Sequence, residues 1–188
     1  MPSRARDLEE EFFYQRNQEL IHKLRERGKT EEGRRRLGQV TGIADEAVLN
    51  ALFDAGIQAE TLVALTLAPL VQVAWADPII DSAECDEILK AAQAAGVSKE
   101  TTCYRLLSDW LQQKPGPKLF VVWEQYIAEL KKVLEPEKLQ QLKNDIMGRA
   151  RGIAKATGGF LGIGKISDAE AAVLKEVEQA FDAKPQKI

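Results

Sequence analysis

Apolar residues recur along this chain three or four positions apart, and no stretch of strict apolar/polar alternation longer than about four residues interrupts that spacing. The pattern therefore predicts helices throughout. The first segment, from about Arg4 to Arg27, carries Phe13, Leu20 and Leu24 in one stripe among many charges and stops at Gly28. A second begins near Thr30 and carries Arg34, Arg35 and Arg36, and a third runs from Asp45 to Ala55 and ends at Gly56. The apolar stretch from Leu62 to Ala76 is shorter than the ~20 residues a membrane span needs and contains Thr66, Pro69 and Gln72. It reads as a short buried helix followed by a second one with Pro69 in its first turn, where a missing N–H costs little.

Further helices are expected over Asp81 to Ala95, closed by Gly96, and over Ser98 to Gln113, closed by Lys114-Pro115-Gly116-Pro117. Lys118 to Leu134 and Glu137 to Thr157 follow, the latter ending at Gly158 and Gly159, and the last helix spans Ser167 to Asp182. An all-α, multi-helix bundle around one core is the predicted fold class. We divide the chain into a charged N-terminal helical extension (1–42), a helical domain (43–182) and a disordered tail (183–188).

An internal echo runs through this pattern. Residues 76–84 align with 162–170, so that Ile80 matches Ile166, Ala83 matches Ala169 and Glu84 matches Glu170. In each copy a cap residue, Asp81 or Ser167, stands three positions before a glutamate, the spacing of a capping box.

Composition changes the picture mainly by exclusion. A hydrophobic fraction of 45% with 29% charged residues belongs to a globular chain, and a net charge of −3 gives no general attraction to nucleic acid or an anionic membrane. With one histidine, His22, there is little material for histidine metal sites or a catalytic triad, and His22 itself is expected at the surface. Cys85 and Cys103 form no C-x-x-C pair and read as small core side chains, and the N-terminus lacks the apolar run of a signal peptide, so a cytoplasmic location is expected. Neither a nucleic-acid partner nor a transmembrane segment is expected.

The segment Trp75-Ala76-Asp77-Pro78-Ile79-Ile80-Asp81-Ser82-Ala83-Glu84, opening a helix that carries Ile88 and Leu89, resembles the Ala-Asp-Gly-x-Ile/Val-Asp-x-x-Glu signature of TerB-like proteins. The resemblance spans about Leu62 to Phe181. It implies an all-helical domain of the kind associated with tellurite resistance and stress responses, with two such helix starts in pseudo-repeat. It also implies a divalent-metal site on Asp77, Asp81 and Glu84. Here Pro78 replaces the motif glycine, and in the second copy Gly164 is kept while Ile163 stands in the aspartate's place. Three carboxylates without a turn glycine make a weak cage, and Asp81 and Glu84 are already accounted for as capping groups. The cofactor expectation is therefore none, or a weakly held divalent cation.

Other motifs reduce to bland readings. Gly159 to Lys165 fits Gly-x4-Gly-Lys, but Ile166 occupies the position of the magnesium-binding hydroxyl and the pattern places a helix, not a strand, before the loop. Asp45 to Ala68 has a helix-turn-helix outline, yet Glu60 to Leu65 offers no side chain to read bases, so a buried helical hairpin is expected. Trp75, Trp110 and Trp123 fall among apolar positions and read as core. Lys131, Lys143, Arg149, Arg151 and Lys155 are assigned to solvent.

The function expected from these observations is a non-enzymatic cytoplasmic interaction or stress-response module similar to TerB-like proteins. The alternative is a divalent-metal-binding tellurite or stress-resistance protein. A protein partner or a second copy would engage the N-terminal helix through Phe13, Leu20 and Leu24, unless that seam packs on the chain's own domain.

Overall fold

The computed structural model describes residues 13–23, 26, 31–77, 80–156 and 166–183. Its described residues form ten α-helical segments, one 3-10 turn and no strand, an all-α bundle. The segments are α1 (13–23), α2 (Glu31–Thr41), α3 (Glu46–Asp54), the 3-10 turn Ala59–Thr61, α4 (Leu62–Thr66), α5 (Ala68–Ala74), α6 (Ser82–Ala94), α7 (Thr102–Gln112), α8 (Lys118–Val133), α9 (Pro136–Ala156) and α10 (Asp168–Asp182). Leu24, Pro78, the loop Gly159 to Lys165 with Ile163 and Gly164, and the tail from 184 onward lie outside the described residues.

Local chemistry sets where these helices start. Asp45 caps α3 by accepting from the backbone N–H groups of Ala47 (2.9 Å) and Val48 (3.2 Å). Pro69 stands in the first turn of α5 and Pro136 opens α9, positions where the absent N–H has no partner to lose. Helix α7 starts four residues later than the pattern predicts. The Ser98 carbonyl accepts from both the N–H and the hydroxyl of Thr101, which holds 98–101 as a turn, and Thr101 Oγ1 then caps Tyr104 N at 3.2 Å. Gly56 and Gly96 have φ of 81° and 86°, the left-handed turn that ends α3 and α6.

Helix α5 is the centre of the bundle. Ala68, Pro69, Leu70, Val71, Val73 and Ala74 are all buried, the signature of a helix covered on every side. It packs against α9, α10, α8, α6 and α4. The neighbours show a reciprocal arrangement: α6 follows α5 and also packs on α9, while α10 follows α9 and also packs on α5. Exchanging the pair α5–α6 with α9–α10 leaves this set of contacts unchanged, so the echo between 76–84 and 162–170 extends to the packing. Both predicted capping boxes form. Asp81 N donates to Glu84 Oε2 (2.9 Å) and Ser167 N to Glu170 Oε2 (2.7 Å), with both glutamates buried.

One apolar cluster runs through the molecule. Leu37 of α2 is fully buried in it, and Leu20 and Ile21 of α1 pack against it, so residues on both sides of the boundary drawn at 42 share a core. Trp123 is fully buried, stacked on Phe120 at 5.1 Å between ring centres and met edge-on by Phe181 at 5.8 Å. Trp110 is buried as well, and half-buried Trp75 donates through Nε1 to the Trp110 carbonyl (2.8 Å), tying the end of α5 to α7. Cys103 is buried, Cys85 is half-buried, and both are free thiols.

Two of the lysines assigned to solvent belong elsewhere. Lys131 of α8 donates to the carbonyls of Ala180 and Ala183, and Lys143 of α9 pairs with Asp182 at 2.6 Å. The last carbonyls of α10 have no intrahelical donors and carry the negative end of the helix dipole, so they draw in Lys131, while Lys143 meets the side-chain carboxylate of Asp182 in the last turn.

Candidate functional site

The three carboxylates expected as metal ligands occupy the start of α6. Asp77 is exposed, Asp81 Oδ1 accepts from Ala83 N (2.7 Å), and buried Glu84 accepts from Asp81 N. Asp81 and Glu84 are engaged as a cap, and no group of three His, Cys, Asp or Glu side chains among the described residues is placed to hold a metal ion. Residues Glu60 to Leu65, the second half of the helix-turn-helix outline, contain the fully buried Thr61, Ala64 and Leu65. Arg36, within the triple-arginine run, pairs with Glu60 at 2.9 Å across the surface.

The N-terminal seam divides. Leu20 is half-buried against the chain's own core, and Phe13 is half-buried with the Arg16 guanidinium 6.0 Å from its ring centre. His22 is exposed.

Docking of α1 against α7 creates a cleft of about 320 Å³. Helix α1 contributes Arg16, Glu19, Leu20 and Lys23, and α7 contributes Thr102, Arg105 and Asp109. The spacing explains the first set: 16, 19, 20 and 23 follow one helical face. On α7, 102, 105 and 109 do the same.

At the inner side of this cleft lies Asp109, only 1% exposed. Arg16 Nη2 lies 3.4 Å from its Oδ1, but neither carboxylate oxygen receives a hydrogen bond among the described residues. Burial pushes the Asp109 carboxyl above the usual aspartate range, against the opposing pull of Arg16 and Arg105. Two more buried acceptors, Asn17 Oδ1 on α1 and Gln113 Oε1 just past the end of α7, also lack a donor among the described residues, although neither lines the cleft. A buried acceptor left unpaired is costly, so the concentration of such atoms along one helix pair sets this place apart from the remainder of the bundle.

Of these residues, only Leu20 is singled out by the sequence pattern. Asp109 left one readable trace. It sits within Leu106-Leu107-Ser108-Asp109-Trp110-Leu111, a carboxylate among the buried positions of an amphipathic helix. Nothing in the linear order, however, brings Arg16 to it across 93 positions.

No family model, curated protein or solved structure matches the chain. The cleft offers cationic groups at Arg16, Lys23 and Arg105, carboxylates at Glu19 and Asp109, a hydroxyl at Thr102 and an apolar side at Leu20.

Proposed function

We propose that the protein is a helical interaction module of the stress-response type, similar to TerB-like domains, acting in the cytoplasm through its surfaces rather than through a catalytic centre. The observation that carries the reading is the reciprocal packing of α5–α6 and α9–α10, each second helix opened by the same capping box, Asp81 with Glu84 and Ser167 with Glu170. This is the organisation that the Trp75–Glu84 resemblance leads one to expect. Two free cysteines suit a reducing compartment. The surface we assign to partner contact is the outer side of α1, where Tyr14, Gln18 and His22 are exposed at a spacing of four residues while Leu20 holds the helix onto the core.

In-cell crosslinking of the tagged full chain in a bacterium challenged with tellurite tests this reading. The expected result is a discrete crosslinked protein species that His22→Glu together with Tyr14→Ala depletes and that Lys90→Glu, on α6, leaves intact. A chain that crosslinks to nothing under challenge, or equally well in both variants, overturns it.

A further inference from the structure

The cleft between α1 and α7 gathers charges of both signs around a buried carboxylate. Its volume of about 320 Å³ lies at the lower end of the ~300–1,000 Å³ of ligand pockets. The buried carboxylate of Asp109 lines it; Arg16 Nη2 lies 3.4 Å from Oδ1, yet neither oxygen receives a hydrogen bond among the described residues, which leaves acceptor positions for an incoming N–H group. The shortage is thus of donors.

Charge narrows the class. A simple cation would answer Asp109 but would sit among Arg16, Lys23 and Arg105. A simple anion would pair with Lys23 and Arg105 but would face Asp109 and Glu19 and still leave the Asp109 oxygens without a hydrogen-bond donor. A neutral molecule carrying both signs a few ångströms apart satisfies both sides. We propose that this cleft binds a free α-amino acid, its ammonium group donating to the Asp109 carboxylate, its carboxylate meeting Arg105 and Lys23, and its side chain resting against Leu20. Thr102, whose hydroxyl can donate or accept, completes the polar wall.

Calorimetric titration of the full chain with the L-amino acids one at a time, and with butylamine and butyrate as single-charge controls, tests the assignment. At least one amino acid is expected to bind with Kd about millimolar or tighter, with both controls about tenfold weaker or more. Asp109→Asn and Arg105→Gln are each expected to weaken that binding by about tenfold or more. Arg105 is exposed, so its variant keeps the test decisive should Asp109→Asn disturb the seating of α1. Failure of every amino acid to bind, butyrate binding as tightly as the best amino acid, or binding that neither variant weakens overturns the proposal. Each of those results leaves the crosslinking outcome for the outer side of α1 untouched, so the two readings fail separately.

Discussion

Ser167 and Asp81 show how much a single side chain can specify. Each accepts from a backbone N–H that the helix cannot satisfy itself, and each is met three residues later by a glutamate that returns the bond. Ser167→Ala is expected to lower stability by about 1 kcal/mol in urea unfolding, with α10 still present by circular dichroism. Asp109 acts in the opposite direction, because its environment raises its carboxyl above the ordinary value. The folded chain then keeps a proton that the unfolded chain releases. Stability therefore falls as pH rises through the window that opens at about 4, the ordinary aspartate value, and closes at the raised one. The groups facing it are Arg16, Glu19 and Lys23 from α1 and Arg105 from its own helix. With Asp109→Asn the titration is gone, so the unfolding midpoint of the variant relative to the parent chain should move in the variant's favour as pH is raised from about 4 to about 7. A difference that stays flat over this range would mean that the carboxyl titrates normally.

At the scale of the element, α1 is the instructive case. Phe13, Leu20 and Leu24 read as a narrow seam that either a partner or the chain itself covers, and an isolated helix of such length is marginal in water. Leu20 and Ile21 rest on the chain's own core, and Arg16 reaches Asp109. Deleting residues 1–28 should therefore destabilise the remainder by about 2 kcal/mol, the burial of two half-covered aliphatic side chains, with no change of oligomeric mass. Thermal unfolding with light scattering reads both quantities. Helix α10 makes the converse point: its sequence marks its start plainly, but its C-terminus is completed by Lys131 and Lys143 from α8 and α9, which the sequence presents only as surface charges.

The whole molecule is organised around one apolar cluster that runs from α2 to α10, with α5 covered on all sides. Trp123 lies inside it with its Nε1 donor buried and without an acceptor among the described residues. This yields a paired expectation. Trp123→Ala removes the ring from between Phe120 and Phe181 and should cost about 3–5 kcal/mol. Trp123→Phe keeps an aromatic ring there and deletes an unpaired polar group, so its cost should be only about 1–2 kcal/mol despite the lost volume. Chemical denaturation of the two variants at neutral pH checks the ordering, and equal losses would indicate that the indole N–H has a partner.

What the sequence by itself determined was the local layer. The helical periodicity, the caps at Asp45, Asp81 and Ser167, the prolines that open α5 and α9, and the glycines that close α3 and α6 all act within a few residues, where chain geometry and hydrogen-bond valence suffice. The repeat of the capping boxes was legible for the same reason. Only the tertiary structure decided that Arg16 meets Asp109, that Lys131 and Lys143 complete α10, and that the most distinctive polar residues line a cleft between the first described helix and α7. A carboxylate becomes unusual through desolvation and the charges placed around it. Both come from segments far away in the chain, so a residue that looks ordinary in the linear order acquires its chemistry only when the helices pack.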